Sequence, residues 1–374
     1  VNDQLKTTKY FLKHEFLQRL FDLLKDSGFN CIAPQVKNGN IVYAPMTDAS
    51  HLPWGVRDLQ SLASYQIEES SNKQAFSWSN GISSIKPFLF SSEETLWKVE
   101  RNEDGKLHFN SVIKSEPTAL VGVRPCDVNA MIVQDKVFLQ EEYVDKRYEA
   151  RRKALFIVVV NCTYASDNCF CVAMGYDTKA SKGFDLAMTE LNDGFIIYSA
   201  SKPGEDFLEK LSLPEASQKQ IEAANLSTHE AAVSQRRKLP SNLEIKTKLP
   251  NSFAEKEWDE VAERCTSCGT CTQVCPTCFC HKQMDFPSLD GKSHEHIRMW
   301  DSCFQEAHGA IHGHNFRPDT KSRYQQWLTH KFAYWQEQFS ESGCVGCGRC
   351  LTWCPVKIDA TDVLTKICDG SDDE

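Results

Sequence analysis

Apolar residues recur at helix spacing over residues 8–28, where Phe11, Phe16, Leu17, Leu20, Phe21 and Leu24 fall on one face and Gly28 ends the pattern. This spacing predicts an amphipathic helix. Residues 29–115 mix polar and apolar positions, with short strand candidates at 39–44 and 97–101. A continuous apolar run at 119–123 has the length of a buried strand. It enters Arg124-Pro125-Cys126-Asp127 and then a helical stretch at 128–138. A second buried strand, 155–160, ends at Asn161-Cys162. Strand, turn, helix, strand predicts a βαβ unit and hence a sheet covered by helices. Residues 205–237 are polar and helical. Residues 238–252 carry Leu-Pro at both ends and read as a linker. Beyond it the segment 321–339 is helix-compatible. The expected fold class is α+β. An α/β domain (1–237) and a linker (238–252) precede a second, largely helical domain (253–374).

Composition narrows the class without choosing the chemistry. A chain of 374 residues, 41% hydrophobic and 25% charged, can bury the cores of two or three globular domains. The net charge of −9 points away from nucleic acid. Asp372-Asp373-Glu374 reads as a solvated tail. No apolar run approaches 18 residues, so no membrane insertion is expected. No hydrophobic signal segment opens the sequence at Val1. Seventeen cysteines without such a segment argue for metal rather than disulfides, in a reducing cytoplasm.

Those cysteines carry the strongest pattern. Cys265, Cys268, Cys271 and Cys275 are followed by Pro276; Cys344, Cys347, Cys350 and Cys354 are followed by Pro355. Each set is the Cys-x2-Cys-x2-Cys-x3-Cys-Pro run that holds [4Fe–4S] clusters in two-cluster ferredoxins. Three thiolates two residues apart let a loop wrap one cubane, and the fourth ligates the other cluster. The expected sets are Cys265, Cys268, Cys271 with Cys354, and Cys344, Cys347, Cys350 with Cys275. A single run could also be a zinc site, because Cys-x2-Cys pairs bind zinc; two full runs with both prolines favour two cubanes and electron transfer. The 68 residues between Cys275 and Cys344 favour a helical ferredoxin domain over the small β-hairpin type.

A second set is Cys126, Cys162, Cys169 and Cys171. Cys126 and Cys162 follow the carboxyl ends of two predicted strands, where ligands gather in α/β sheets. Cys169 and Cys171 would share one side of an extended loop. Four such thiols can hold a third cubane, or can be buried reduced cysteines.

Several segments resemble the iron–sulfur beta subunit of soluble NAD(P)-linked [NiFe] hydrogenases, the sulfhydrogenases. They are Val121-Gly122-Val123-Arg124-Pro125-Cys126-Asp127, Asp135-Lys136-Val137-Phe138, Asn161-Cys162-Thr163 and Cys169-Phe170-Cys171. Further along are Cys275-Pro276-Thr277-Cys278-Phe279-Cys280, Trp300-Asp301-Ser302-Cys303, Gly313-His314-Asn315-Phe316-Arg317 and Gly343-Cys344-Val345-Gly346-Cys347-Gly348-Arg349-Cys350. The likeness spans about 118–360. After Cys171 the bulkier Val172-Ala173-Met174-Gly175-Tyr176-Asp177 departs from the family's small-residue run. The same family includes the electron-transfer subunit of anaerobic sulfite reductase. The resemblance implies a non-catalytic electron-transfer subunit with a third [4Fe–4S] cluster. Its implied partners are a flavin subunit handling NAD(P)H and the small and large subunits of a [NiFe] hydrogenase. A sirohaem subunit is the alternative partner, and a freestanding iron–sulfur regulator is a third class.

Other residues have two readings each. Cys278, Cys280 and Cys303 can line the clusters, replace a ligand, or be buried thiols beside the ligands. Cys31 and Cys368 are isolated. Arg317, Arg323, Arg349 and Lys331 can raise cluster potentials or pair on the surface. Gly269, Gly346 and Gly348 can let backbone N–H groups approach sulfides. His308 and His312 would share a helix face, with His314 nearby, for metal or for packing. Trp353 reads as a shield against water. The sequence has no Gly-x-Gly-x-x-Gly after a strand, no phosphate loop and no Cys-x2-Cys pairs of a nickel subunit.

Overall fold

The computed structural model describes residues 8–370; the acidic tail expected at 372–374 lies outside the described residues. Seven strands form one sheet in the spatial order Tyr10–Lys13, Gly194–Ser199, Leu186–Glu190, Leu155–Val160, Thr118–Val123, Asn30–Lys37 and Asn40–Pro45. The strands from Leu186–Glu190 to Asn30–Lys37 run parallel, and the flanking ones antiparallel. The predicted βαβ unit sits at the centre, with helix Pro125–Leu139 following strand Thr118–Val123.

Strand periodicity divides the core. Val158 and Val160 face one side with Leu20, Phe21, Leu24 and Trp78, while Ile157 and Val159 face the other with Val128, Met131 and Phe138. Both faces of the central strands are therefore buried, which is why their sequences read as unbroken apolar runs.

At the amino end the structure departs from the expected helix. Tyr10–Lys13 is an edge strand, and the helix is Leu17–Asp26, burying Leu17, Leu20, Phe21 and Leu24. The helical spacing is real from Leu17 onward. Phe11 instead packs with Ile196 and Ala224.

The expected linker is also structured. Asn242–Lys248 is a helix capped reciprocally by Ser241 and Glu244, and its Ile245 and the following Leu249 are buried. A capping box fixes such a short helix because it satisfies two orphan backbone donors.

The largest difference lies between the two cysteine motifs. Helices Thr320–Thr329 and Trp335–Phe339 appear as expected, but His281–Pro287 and Ser293–Trp300 form a hairpin. That hairpin pairs with Glu93–Arg101, which pairs with Leu107–Ser111, giving a second, four-stranded antiparallel sheet. The late segment thus completes a sheet begun before residue 118. Among the described residues no helix is long and apolar enough to cross a membrane.

Candidate functional site

The two cysteine motifs fold alike. In each, a glycine with positive φ (Gly269 at 74°, Gly348 at 77°) starts a four-residue helix carrying the third cysteine. They bring their thiols to two neighbouring cavities. One is lined by Cys265, Cys268, Cys271 and Cys354, and by Cys350 as well. The other is lined by Cys344, Cys347, Cys350 and Cys275. The fourth cysteine of each motif therefore lies with the first three of the other. Both cavities are walled by Trp327.

The donor set suits iron–sulfur clusters. Burial pushes Cys271 and Cys350 well above the ordinary thiol pKa and Cys344 up to about 12, with neighbouring thiols adding to the effect. Such thiols stay protonated until a cation takes the proton's place, so ligation couples to proton release. Polar hydrogens already point at the sulfurs. Gly346 N lies 3.4 Å from Cys344 Sγ and Ile358 N 3.4 Å from Cys354 Sγ. Lys331 Nζ lies 3.4 Å from Cys275 Sγ, 2.8 Å from Thr277 Oγ1 and 3.1 Å from Gly343 O. Burial would lower the Lys331 pKa, but Cys275, Cys278 and Cys344 hold it well above the usual lysine value.

Lys331 reaches this position from a π-helical turn, His330–Tyr334, between the two predicted helical halves. Such wide turns concentrate at functional sites. Helical periodicity does not reveal it.

Arg349 is the second buried cation. It makes a bidentate pair with Asp127, at 2.8 and 2.9 Å, and donates to Gly81 O and Ser83 O. It is a buried brace rather than surface pairing. Arg323 donates to the carbonyls of Phe304, Arg317 and Pro318.

The second set, Cys126, Cys162, Cys169 and Cys171, lies against the second motif. Cys126 is in the first turn of helix Pro125–Leu139, and Cys162 follows strand Leu155–Val160. Burial raises all four thiol pKa values, Cys162 to about 11 and Cys171 to about 12. Smaller contributions come from one another: Cys126 with Cys162, Cys162 with Cys169, and Cys171 with both Cys169 and Cys162. Cys169 Sγ is 3.3 Å from Ser166 Oγ, and Gln235 Nε2 donates to Cys171 Sγ at 3.2 Å. The loop is turned rather than extended, and Met174 from the bulky run packs into the core of the cluster segment.

The motif glycines have a use beyond the one expected. A Cβ on Gly346 would sit 2.5 Å from Phe170 O and 2.6 Å from the Cys171 Cα. One on Gly348 would sit 2.2 Å from Asn168 O. These glycines let the 168–171 backbone lie directly on the second motif. Asn80 joins the two, donating to Cys347 O at 2.8 Å and approaching Cys169 Sγ at 4.0 Å. Asn80 and Lys86, whose Nζ donates to Cys278 O at 3.3 Å, are missed by sequence reasoning because nothing in their local sequence marks them. Both act across the fold.

Cys278, Cys280 and Cys303 line a third cavity together with His308. His308 and His312 do not share a helix face, since the 3-10 helix Glu306–Gly309 ends between them and His312 takes a positive φ of 50°. His312 and His314 are exposed. Trp353 stacks on Tyr65, with ring centroids 5.2 Å apart. Cys31 and Cys368 are buried among apolar side chains, the former up to about 11 in pKa through burial.

Two comparisons with known proteins found matches. A family model described as a 4Fe-4S dicluster domain matches residues 264–358. The chain is similar to sulfhydrogenase 2 subunit beta of Pyrococcus furiosus. The two are 32% identical over 323 residues, 82% of this chain and 90% of that protein. No solved structure matches the chain.

Proposed function

The chain belongs to the family of sulfhydrogenase beta subunits, and from that premise we propose that it relays electrons inside a hydrogenase complex. Its own part is iron–sulfur electron transfer. The partners we propose are a flavin subunit exchanging electrons with NAD(P)H and the small subunit that serves a nickel–iron centre. The hydrogenase name of the relative favours this over the sulfite reductase reading.

The observation that carries the relay is the interleaving of the two motifs around adjacent cavities. On this reading Cys265, Cys268, Cys271 and Cys354 ligate one [4Fe–4S] cluster, and Cys275, Cys344, Cys347 and Cys350 the other. Cys126, Cys162, Cys169 and Cys171 ligate a third. Support for the third is the close packing of the 168–171 loop on the second motif. Each cluster passes one electron at a time. The residues around them set potentials and exclude water.

The chain alone should oxidise neither H2 nor NAD(P)H, because its sequence carries no dinucleotide or nickel motif. The purified, cluster-loaded chain can be assayed with each donor and a dye acceptor, then again in the presence of the flavin subunit. Turnover without that subunit would contradict the relay.

Lys331 supplies a quantitative check. Replacing it with Met should lower the potential of the cluster bound through Cys275 by on the order of 100 mV. A unit charge about 6 Å away at an effective dielectric of about 20 is worth roughly 3 kcal/mol, and about 1.4 kcal/mol corresponds to 59 mV for one electron. Redox titration followed by EPR measures it, with Lys331→Arg retaining most of the potential. Equal potentials in wild type and Lys331→Met would leave Lys331 a purely structural role.

A further inference from the structure

The relay leaves unused a cavity of about 300 Å³ beside the two cluster sites. Cys278, Cys280, Cys303 and His308 line it, with Lys331 and Arg317 in the same wall. We propose that these three thiols and one imidazole hold a further [4Fe–4S] cluster.

The fold assembles this set from separate stretches. The hairpin register pairs His281 with Trp300, and Asp301 N donates to Cys280 O at 2.9 Å. Cys280 therefore enters the hairpin beside the point where Cys303 leaves it. Cys278 comes from the turn after the first motif. His308 follows on the 3-10 helix, where its Nδ1 is 2.8 Å from Asp301 Oδ2. A carboxylate on one ring nitrogen fixes the imidazole and leaves Nε2 for a metal.

Charge and scale agree. Three thiolates need cations, and Lys331 and Arg317 supply them; the buried Arg317 Nε has no hydrogen-bond partner within the protein. Among the described residues, no three His, Cys, Asp or Glu side chains converge as a single ion requires. The eight thiols of the dicluster segment form no such group either. The cavity shares Trp327 with both cluster cavities and Lys331 and Thr277 with the second. Electrons can therefore reach it from either. A neutral imidazole in place of a thiolate raises a cluster's potential, so this cluster accepts electrons from its neighbours and stores them.

The test uses the full chain reconstituted anaerobically with ferrous iron and sulfide. Pulsed EPR of the reduced protein should show the 14N coupling of a bound imidazole. Cys280→Ser combined with Cys303→Ser should abolish that coupling and remove about four irons and as many sulfides, as one cubane contains. His308→Cys should keep the iron, lose the coupling and lower the potential; it decides the matter if the double variant fails to fold. Cys162→Ala should leave the coupling intact, which separates this cluster from the one proposed above. Unchanged iron in the double variant with no nitrogen coupling in the wild type would overturn the proposal. A single sulfide-free metal ion at these residues would overturn it too.

Discussion

Exchanging Cys162 for Ala should remove about four irons and four sulfides per chain, one cubane's content, and interrupt NAD(P)-linked electron flow. Cys162 sits where strand Leu155–Val160 ends, its backbone N–H held by Thr178 O at 2.9 Å. Burial pushes its thiol up to about 11, so as a ligand it would give up its proton on binding iron. A cluster lost here also loses the folding energy that binding contributes, and the 166–171 loop should become more open to exchange. Electron flow that must cross this position should fall by far more than dye-linked reactions entering beyond it. Cys31→Ala is the control, because Cys31 is buried but packs among apolar side chains. Iron and sulfide analysis reads both variants. Full iron in Cys162→Ala, with Cys126, Cys169 and Cys171 open to alkylation, would return these residues to ordinary buried thiols.

The two cysteine motifs were legible because most of the thiols lining each cavity come from one short run. The spacing of Cys265 to Cys275 and Cys344 to Cys354 follows from wrapping a loop around a cubane, whatever the surrounding fold. The central strands were legible for a related reason: burial on both faces leaves an unbroken apolar run. The hairpin at 281–300 was not, because strand His281–Pro287 is mostly exposed and offers no alternating apolar face. Its partner Glu93–Arg101 lies far away in sequence, and pairing across such a distance leaves no local period. The strand Tyr10–Lys13 was hidden differently. Its Phe11 happens to extend the spacing of the helix behind it. The polar residues that hold the site to the fold were least legible. Asn168 Nδ2 donates to Thr352 Oγ1 at 2.8 Å, Thr352 Oγ1 donates to Gln60 Oε1 at 2.7 Å, and Arg237 reaches both Asn168 and Asp359. Each is an ordinary polar residue until the chain folds.

Arg349 shows how strongly such a contact should matter. Its guanidinium and the Asp127 carboxylate are almost wholly sealed from water. Burial opposes the charge on Arg349, and Asp127 together with Cys347 and Cys126 more than offsets it, so its pKa stands well above the usual value. Asp127 follows Cys126, and Arg349 lies between Cys347 and Cys350, so the pair clamps the proposed third cluster site to the second. Arg349→Met alone should cost about 3–5 kcal/mol, because it leaves a buried carboxylate unpaired. Asp127→Leu alone should cost a similar amount for the converse reason. Together the two changes should recover most of the loss, since two apolar side chains leave no charge to desolvate. Arg349→Lys should fall between, as a lysine keeps the charge without the planar fork that meets both carboxylate oxygens and the Gly81 carbonyl. Anaerobic urea unfolding of the four variants gives the coupling directly. Additive losses in the double variant would mean that Arg349 acts through Gly81 and Ser83 rather than through Asp127. Recovery of stability without recovery of electron flow would separate the two roles of the pair, holding the segments together and setting the field around their thiolates.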